Sequence, residues 1–130
     1  MKVTGFNHLT IRVSDLNKSL SFYCDVLGMK QVHLGRTDAY LEWGDAWICL
    51  LEKGGHKQPE ESWLGVDHVA FSIREEHFAE AVQLLKENQV PVIRGPLERG
   101  GGLSIQFLDP DGTVLELFTG SLERRMKVWK

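Results

Sequence analysis

Phe6-Asn7-His8-Leu9-Thr10-Ile11-Arg12-Val13 alternates in character, so that an extended chain turns Leu9, Ile11 and Val13 to one side and His8, Thr10 and Arg12 to the other. That pattern predicts a strand buried on one face. Sixty residues on, Val66-Asp67-His68-Val69-Ala70-Phe71-Ser72-Ile73 repeats it, with Val69, Phe71 and Ile73 opposite His68, Ala70 and Ser72. A histidine stands in the same place in both copies. The chain therefore reads as one supersecondary unit written twice.

The segments downstream of the two strands support the duplication. After the first, Ser14 and Asp15 offer capping oxygens, Leu16, Leu20, Tyr23 and Leu27 recur at helical spacing, and Gly28 supplies a stop. A helix of about three turns is expected. Strand candidates then lie at 31–34, 39–43 and 47–51, separated by Gly35 and by Gly44-Asp45. Residues 5–52 thus form a βαβββ unit, and the polar stretch 53–64 reads as a surface linker. In the second unit, residues 65–119, Phe78, Ala81, Val82 and Leu85 mark a helix face, and Val90-Pro91-Val92-Ile93 marks a strand whose proline suits an edge. A glycine loop, Gly100-Gly101-Gly102, precedes a strand at 103–108, and a turn on Asp109-Pro110-Asp111-Gly112 leads into the last strand, 113–119. A helical tail at 120–130 completes a single α+β domain with mixed sheets.

Bulk properties narrow the function. With 130 residues, 42% apolar content and 25% charge, the chain can build one ordinary core. A net charge of −3 without long blocks of one sign leaves no electrostatic footprint for nucleic acid or an anionic membrane surface. No apolar run approaches a membrane span, and Lys2 and Thr4 do not open a signal peptide, so a cytoplasmic protein acting on small solutes is expected. Cys24 and Cys49 lack metal or redox spacing and read as buried small hydrophobes.

Chemistry concentrates at His8, His68 and Glu116. In the last strand Val114, Glu116 and Phe118 share a face opposite Leu115 and Leu117, so Glu116 points the same way as the histidines. Two neutral imidazoles and an ionised carboxylate can hold Mn, Fe, Zn or Ni at neutral pH without a deprotonation cost and leave positions open for substrate. Taken singly, a strand histidine is more often a hydrogen-bonded structural residue, and a glutamate between leucines can face solvent. Equivalent placement in a duplicated unit turns the reading toward a metal. His33, His56 and His77 lack that placement and are assigned to the surface.

With Asn7-His8-Leu9-Thr10, Asp67-His68-Val69-Ala70-Phe71 and Phe107-Leu108-Asp109-Pro110-Asp111-Gly112 ahead of Glu116, nearly the whole chain resembles the vicinal-oxygen-chelate (glyoxalase/bleomycin-resistance/dioxygenase) superfamily. Ala39-Tyr40-Leu41-Glu42, Trp47-Ile48-Cys49-Leu50 and the tail Leu115-Glu116-Leu117-Phe118-Thr119-Gly120-Ser121-Leu122-Glu123-Arg124-Arg125 are similar to its fosfomycin-resistance enzymes. The resemblance implies a divalent metal held by His8, His68 and Glu116. It implies a homodimer that exchanges repeats, with the first histidine from one chain and the other two ligands from its partner. It also implies addition of a low-molecular-weight thiol, of the glutathione or bacillithiol kind, to the epoxide of fosfomycin or a related phosphonate. On the same grounds Thr10 matches a catalytic threonine near the opening oxygen, Arg125 and Ser104 match donors to the phosphonate, and Tyr40 and Trp47 match aromatic positions around the substrate.

Each of those residues also has a plainer reading: Thr10 as a strand former, Trp47 as core, Arg125 as a solvated helix face, Ser104 as a partner for the backbone. The chain departs from the group at Gln106, where those enzymes carry a tyrosine, at Pro96, near a lysine position, and in its glycine-rich loop. Alternatives are an epoxide hydrolase with Asp38 as the nearest candidate base, a ring-cleaving dioxygenase, a glyoxalase-type lyase or isomerase, and a drug-binding protein without chemistry.

Overall fold

The computed structural model describes residues 1–55, 57 and 64–128. It divides into two compact units, residues 1–57 and 58–130, each built on one four-stranded sheet.

In the first unit β1 (Leu9–Val13) pairs in parallel with β4 (Ala46–Glu52), which pairs antiparallel with β3 (Asp38–Trp43), itself antiparallel to β2 (Lys30–Leu34). The parallel pair needs a crossover, and the helical segment after β1 begins it. The Asp15 carboxylate caps α1 (Leu16–Leu20) by accepting from the Lys18 amide at 3.1 Å. The helix then widens into a π-helical stretch, Ser21–Val26, that buries Phe22 and Tyr23, and Gly28, at φ 84°, ends it. Tyr23, Ala39, Leu41, Leu50 and Val13 form a core under one face of the sheet, each 1% exposed or less. The opposite face carries His8, Thr10, Tyr40, Trp47 and Cys49.

The second unit repeats the design as β5 (Val69–Ser72), β8 (Val114–Phe118), β7 (Gly102–Leu108) and β6 (Val92–Arg99) in that spatial order, with β5 and β8 parallel. Phe78 and Leu85 of α2 (Glu75–Glu87) are buried, as are Ile105, Phe107, Leu115 and Leu117. The Asp109 carboxylate builds the turn before β8, accepting from the amides of Asp111 at 2.9 Å and Thr113 at 2.8 Å. The Leu122–Val128 helix, α3, follows β8.

Several expectations shift in detail. Each histidine stands one residue ahead of its strand, because the ladders begin at Leu9 and Val69. The strand expected at 90–93 starts later and runs to Arg99, with register breaks on either side of Arg94. Cys49 is buried, whereas Cys24 is only half-buried. Much of the expected linker, His56, and the last two residues of the tail lie outside the described residues.

Candidate metal centre

In the second unit the parallel register sets Ala70 beside Glu116, and the antiparallel one sets Glu116 beside Gln106. Glu116 is buried, so it does not project to solvent. Its Oε1 accepts from Gln106 Nε2 at 2.7 Å and from the Arg94 guanidinium at 3.3 Å. These donors fix the carboxylate's orientation and keep the buried charge paired. His68 Nε2 lies 3.5 Å from the same oxygen, and His68 Nδ1 lies 2.6 Å from Asp67 Oδ2. A proton on Nδ1, donated to Asp67, leaves the Nε2 lone pair facing Glu116.

In the first unit His8 shows the same arrangement. Its Nδ1 is 2.6 Å from Asn7 Oδ1, an acceptor that places the ring proton there and frees Nε2. The imidazole packs on Trp47 with centroids 4.4 Å apart, Trp47 meets Tyr40 edge-on at 6.1 Å, and Tyr40 meets His33 at 4.8 Å. Trp47 and Tyr40 are about 40% exposed, so they form a wall on the sheet's open face and not part of its core. Thr10 and Tyr40 both stand beside Cys49 in the ladder, which puts the Thr10 hydroxyl on this face. His33, expected at the surface, is exposed yet shares the aromatic row and lies 3.6 Å from Asp38. His77 is exposed beside Glu76.

Arg125 and Ser104 belong to the second unit. Arg125 lies 5.6 Å from the Phe118 ring centroid, and a Cβ added to Gly100 would come within 2.6 Å of its Nε. The glycine loop is therefore the bed on which that guanidinium rests. Ser104 is 2% exposed, and its Oγ has no hydrogen-bond partner. Sequence reading passed over Arg94, Asp67 and Asn7. The signal for the last two was present: a polar acceptor immediately precedes each histidine.

Two donors each about 2.1 Å from one cation stand about 3.0–3.4 Å apart at octahedral to tetrahedral angles, and the 3.5 Å between His68 and Glu116 fits that span with little adjustment. Among the described residues no three His, Cys, Asp or Glu side chains gather as a metal-holding group. His68 and Glu116 meet in the second unit; His8, with its ring nitrogen equally prepared, is carried by the first. The donor set suits a borderline divalent ion.

Comparison with known proteins agrees with this geometry. Residues 5–117 match the family pattern of the glyoxalase/bleomycin resistance protein/dioxygenase superfamily. Over 131 residues the chain is 44% identical to the metallothiol transferase FosB of Staphylococcus epidermidis, covering all of this chain and 92% of that one. It is 41% identical to the glutathione transferase FosA of Serratia marcescens, covering 94% and 85%. Among solved structures, the fosfomycin resistance protein FosX of Listeria monocytogenes, in its form with Mn(II) and sulfate, superposes with a TM-score of 0.80 at 28% identity over 99% of this chain and 100% of that one. Repeated fold, paired donors and relatives together place the chain in the glyoxalase/bleomycin resistance protein/dioxygenase superfamily, within the group that holds the fosfomycin-resistance enzymes.

Proposed function

We propose that this protein is a metal-dependent transferase that adds a low-molecular-weight thiol to the epoxide of fosfomycin or a closely related phosphonate. The observation that carries the reading is the prepared donor pair of His68 Nε2 and Glu116 Oε1, with His8 equally prepared in the first unit. The similarity to FosB and FosA supports the thiol transfer. In this reading His8, His68 and Glu116 hold a divalent ion, Mn(II) as in the FosX relative, or Zn, Ni or Fe. When bound, it supplies Lewis acidity at the oxygen released on ring opening.

The chain's own residues do the rest. Arg125 and Ser104 bind the phosphonate, a planar guanidinium and a hydroxyl being suited to its oxygens. Thr10 offers its hydroxyl proton to the developing alkoxide, where stabilisation gains most. Trp47 and Tyr40 wall the substrate and exclude water. The thiol sulfur forms a bond to one epoxide carbon as that carbon–oxygen bond breaks, and the proton that the thiol gives up ends on the released oxygen, leaving the Thr10 hydroxyl intact. Both repeats, 5–52 and 65–119, serve one metal-binding domain. We further propose a homodimer in which His8 of one chain completes the pair of the other. Phe6 and Val66, equivalent in the two repeats, are 84% and 80% exposed and suit burial in such a pairing.

Incubation of the Mn(II)-loaded protein with fosfomycin and, in turn, glutathione, bacillithiol and cysteine, followed by phosphorus NMR, is expected to show an adduct with at least one thiol; none with any rejects the reading. A second reading, addition of water, draws on the likeness to FosX and on Asp38, a half-buried carboxylate on β3. Incorporation of oxygen-18 from labelled water without thiol would select it.

A further inference from the structure

A regular ladder opposite β7 would set Val92 against Phe107 and Ile93 against Gln106, but Arg94 stands opposite Gln106 instead. One surplus residue in β6 re-aims the strand, the ordinary effect of a bulge. Arg94 thereby joins the row of Ala70, Glu116 and Gln106 on the site face. One of its terminal nitrogens reaches Glu116, yet its Nε is buried with no hydrogen-bond partner. Two residues from Gln106, on the same face of β7, Ser104 Oγ is also buried without a partner. Two buried donors lacking acceptors are costly to maintain in a protein that puts them to no use. Gln106 commits one of its two amide N–H groups to Glu116 at 2.7 Å, and a neutral amide brings no charge to an oxyanion.

We propose that Arg94 is a substrate-binding residue of this chain, recognising with Ser104 a doubly charged tetrahedral oxyanion of the phosphonate or phosphate class. The proposal rests on the reading of Glu116 as a metal ligand. Electrostatics supports it. The Arg94 guanidinium offsets the Glu116 carboxylate, so the charge of a dication held beside neutral imidazoles, with that of Arg125, is left for a dianion. Without Arg94 the carboxylate would take up one of those charges. A guanidinium also has five N–H groups in a fixed fork, enough to serve Glu116 and an oxyanion together. Arg94 thus takes over the role left open at Gln106, with a full charge where a phenol has none.

Calorimetric titration of methylphosphonate, and separately of inorganic phosphate, into the Mn(II)-loaded full chain tests this, with Mn(II) affinity measured in parallel by electron paramagnetic resonance. Arg94→Ala is expected to weaken both anions about 10- to 100-fold and Arg94→Lys to fall between it and wild type. Mn(II) affinity should change by less than about tenfold, because loss of the longer of the two bonds that orient Glu116 is offset by removal of a cation beside the ion. If Arg94 merely braces Glu116, Mn(II) affinity will instead fall about tenfold or more while anion binding at saturating Mn(II) is unchanged, and the proposal is overturned. Wild type that binds neither anion also overturns it. Should wild type bind methylphosphonate through Arg94 yet form no fosfomycin adduct, the proposed activity fails and this assignment stands. Adduct formation alongside unaltered anion binding by Arg94→Ala removes the assignment alone.

Discussion

An imidazole offers a metal only the nitrogen that carries no proton, and in both repeats the residue before the histidine sets a side-chain oxygen beside Nδ1. Replacing Asp67 with alanine should lower Mn(II) affinity by up to about tenfold, less than for a buried partner because Asp67 is exposed; chelator competition would measure it, and unchanged affinity would show that the contact does not set the tautomer. Gln106→Leu removes the shorter of the two bonds that orient Glu116 and should cost about 10- to 100-fold in the same assay. Cys24 illustrates a pH effect. Burial, and after it the Asp25 carboxylate, pushes its thiol above the ordinary value. The folded state thus holds this proton more tightly than the unfolded one, so its contribution to stability declines as pH climbs through the thiol range. Iodoacetamide at pH 8 should alkylate Cys24 more slowly in the native protein than in urea, and equal rates would contradict the shift. At this scale the faces on which His8, His68 and Glu116 stand were legible from alternation. Arg94 was not, because period-two reasoning places side chains correctly only while a ladder stays regular, and the bulge breaks it.

Among the elements, those with strong patterns declared themselves: β1 and β8 by alternation, β4 by its continuous apolar run, α2 by its apolar stripe, the turn before β8 by Asp109 and Gly112. The π-helical widening at Ser21–Val26 was hidden, since Phe22 and Tyr23 satisfy either helical period over so short a run. β6 runs on past the expected 90–93 to Arg99, because an outermost strand tolerates Gly95 and Pro96. Two tests belong here. Asp109→Ala strips the acceptor from two backbone amides and should cost about 1–3 kcal/mol in urea unfolding, with a loss below the measurement error showing that the turn forms without it. Gly100→Val places a branched side chain at φ 59° and against Arg125; about 1–3 kcal/mol of destabilisation is expected, and fosfomycin binding should weaken with it if Arg125 serves the phosphonate.

For the whole molecule, the two units are of one design, and no described helix is long and apolar enough to cross a membrane. If dimers exchange repeats, mixing inactive His8→Ala with inactive Glu116→Ala through reversible unfolding should restore about a quarter of the sites, because each mixed dimer joins one intact His8 to one intact Glu116. No recovery would mean that all three ligands come from one chain. The exchange of repeats is an expectation from resemblance alone, since no residue pattern within a single repeat reports which copy it will face. The kinked strand that delivers Arg94 carries one more implication. It forms the outer border of its sheet, with a displaced register and with Pro96, which has no amide hydrogen to offer a newcomer. That rim is a poor template for stacking molecule upon molecule, so the irregularity that re-aims Arg94 also works against fibrils of this protein.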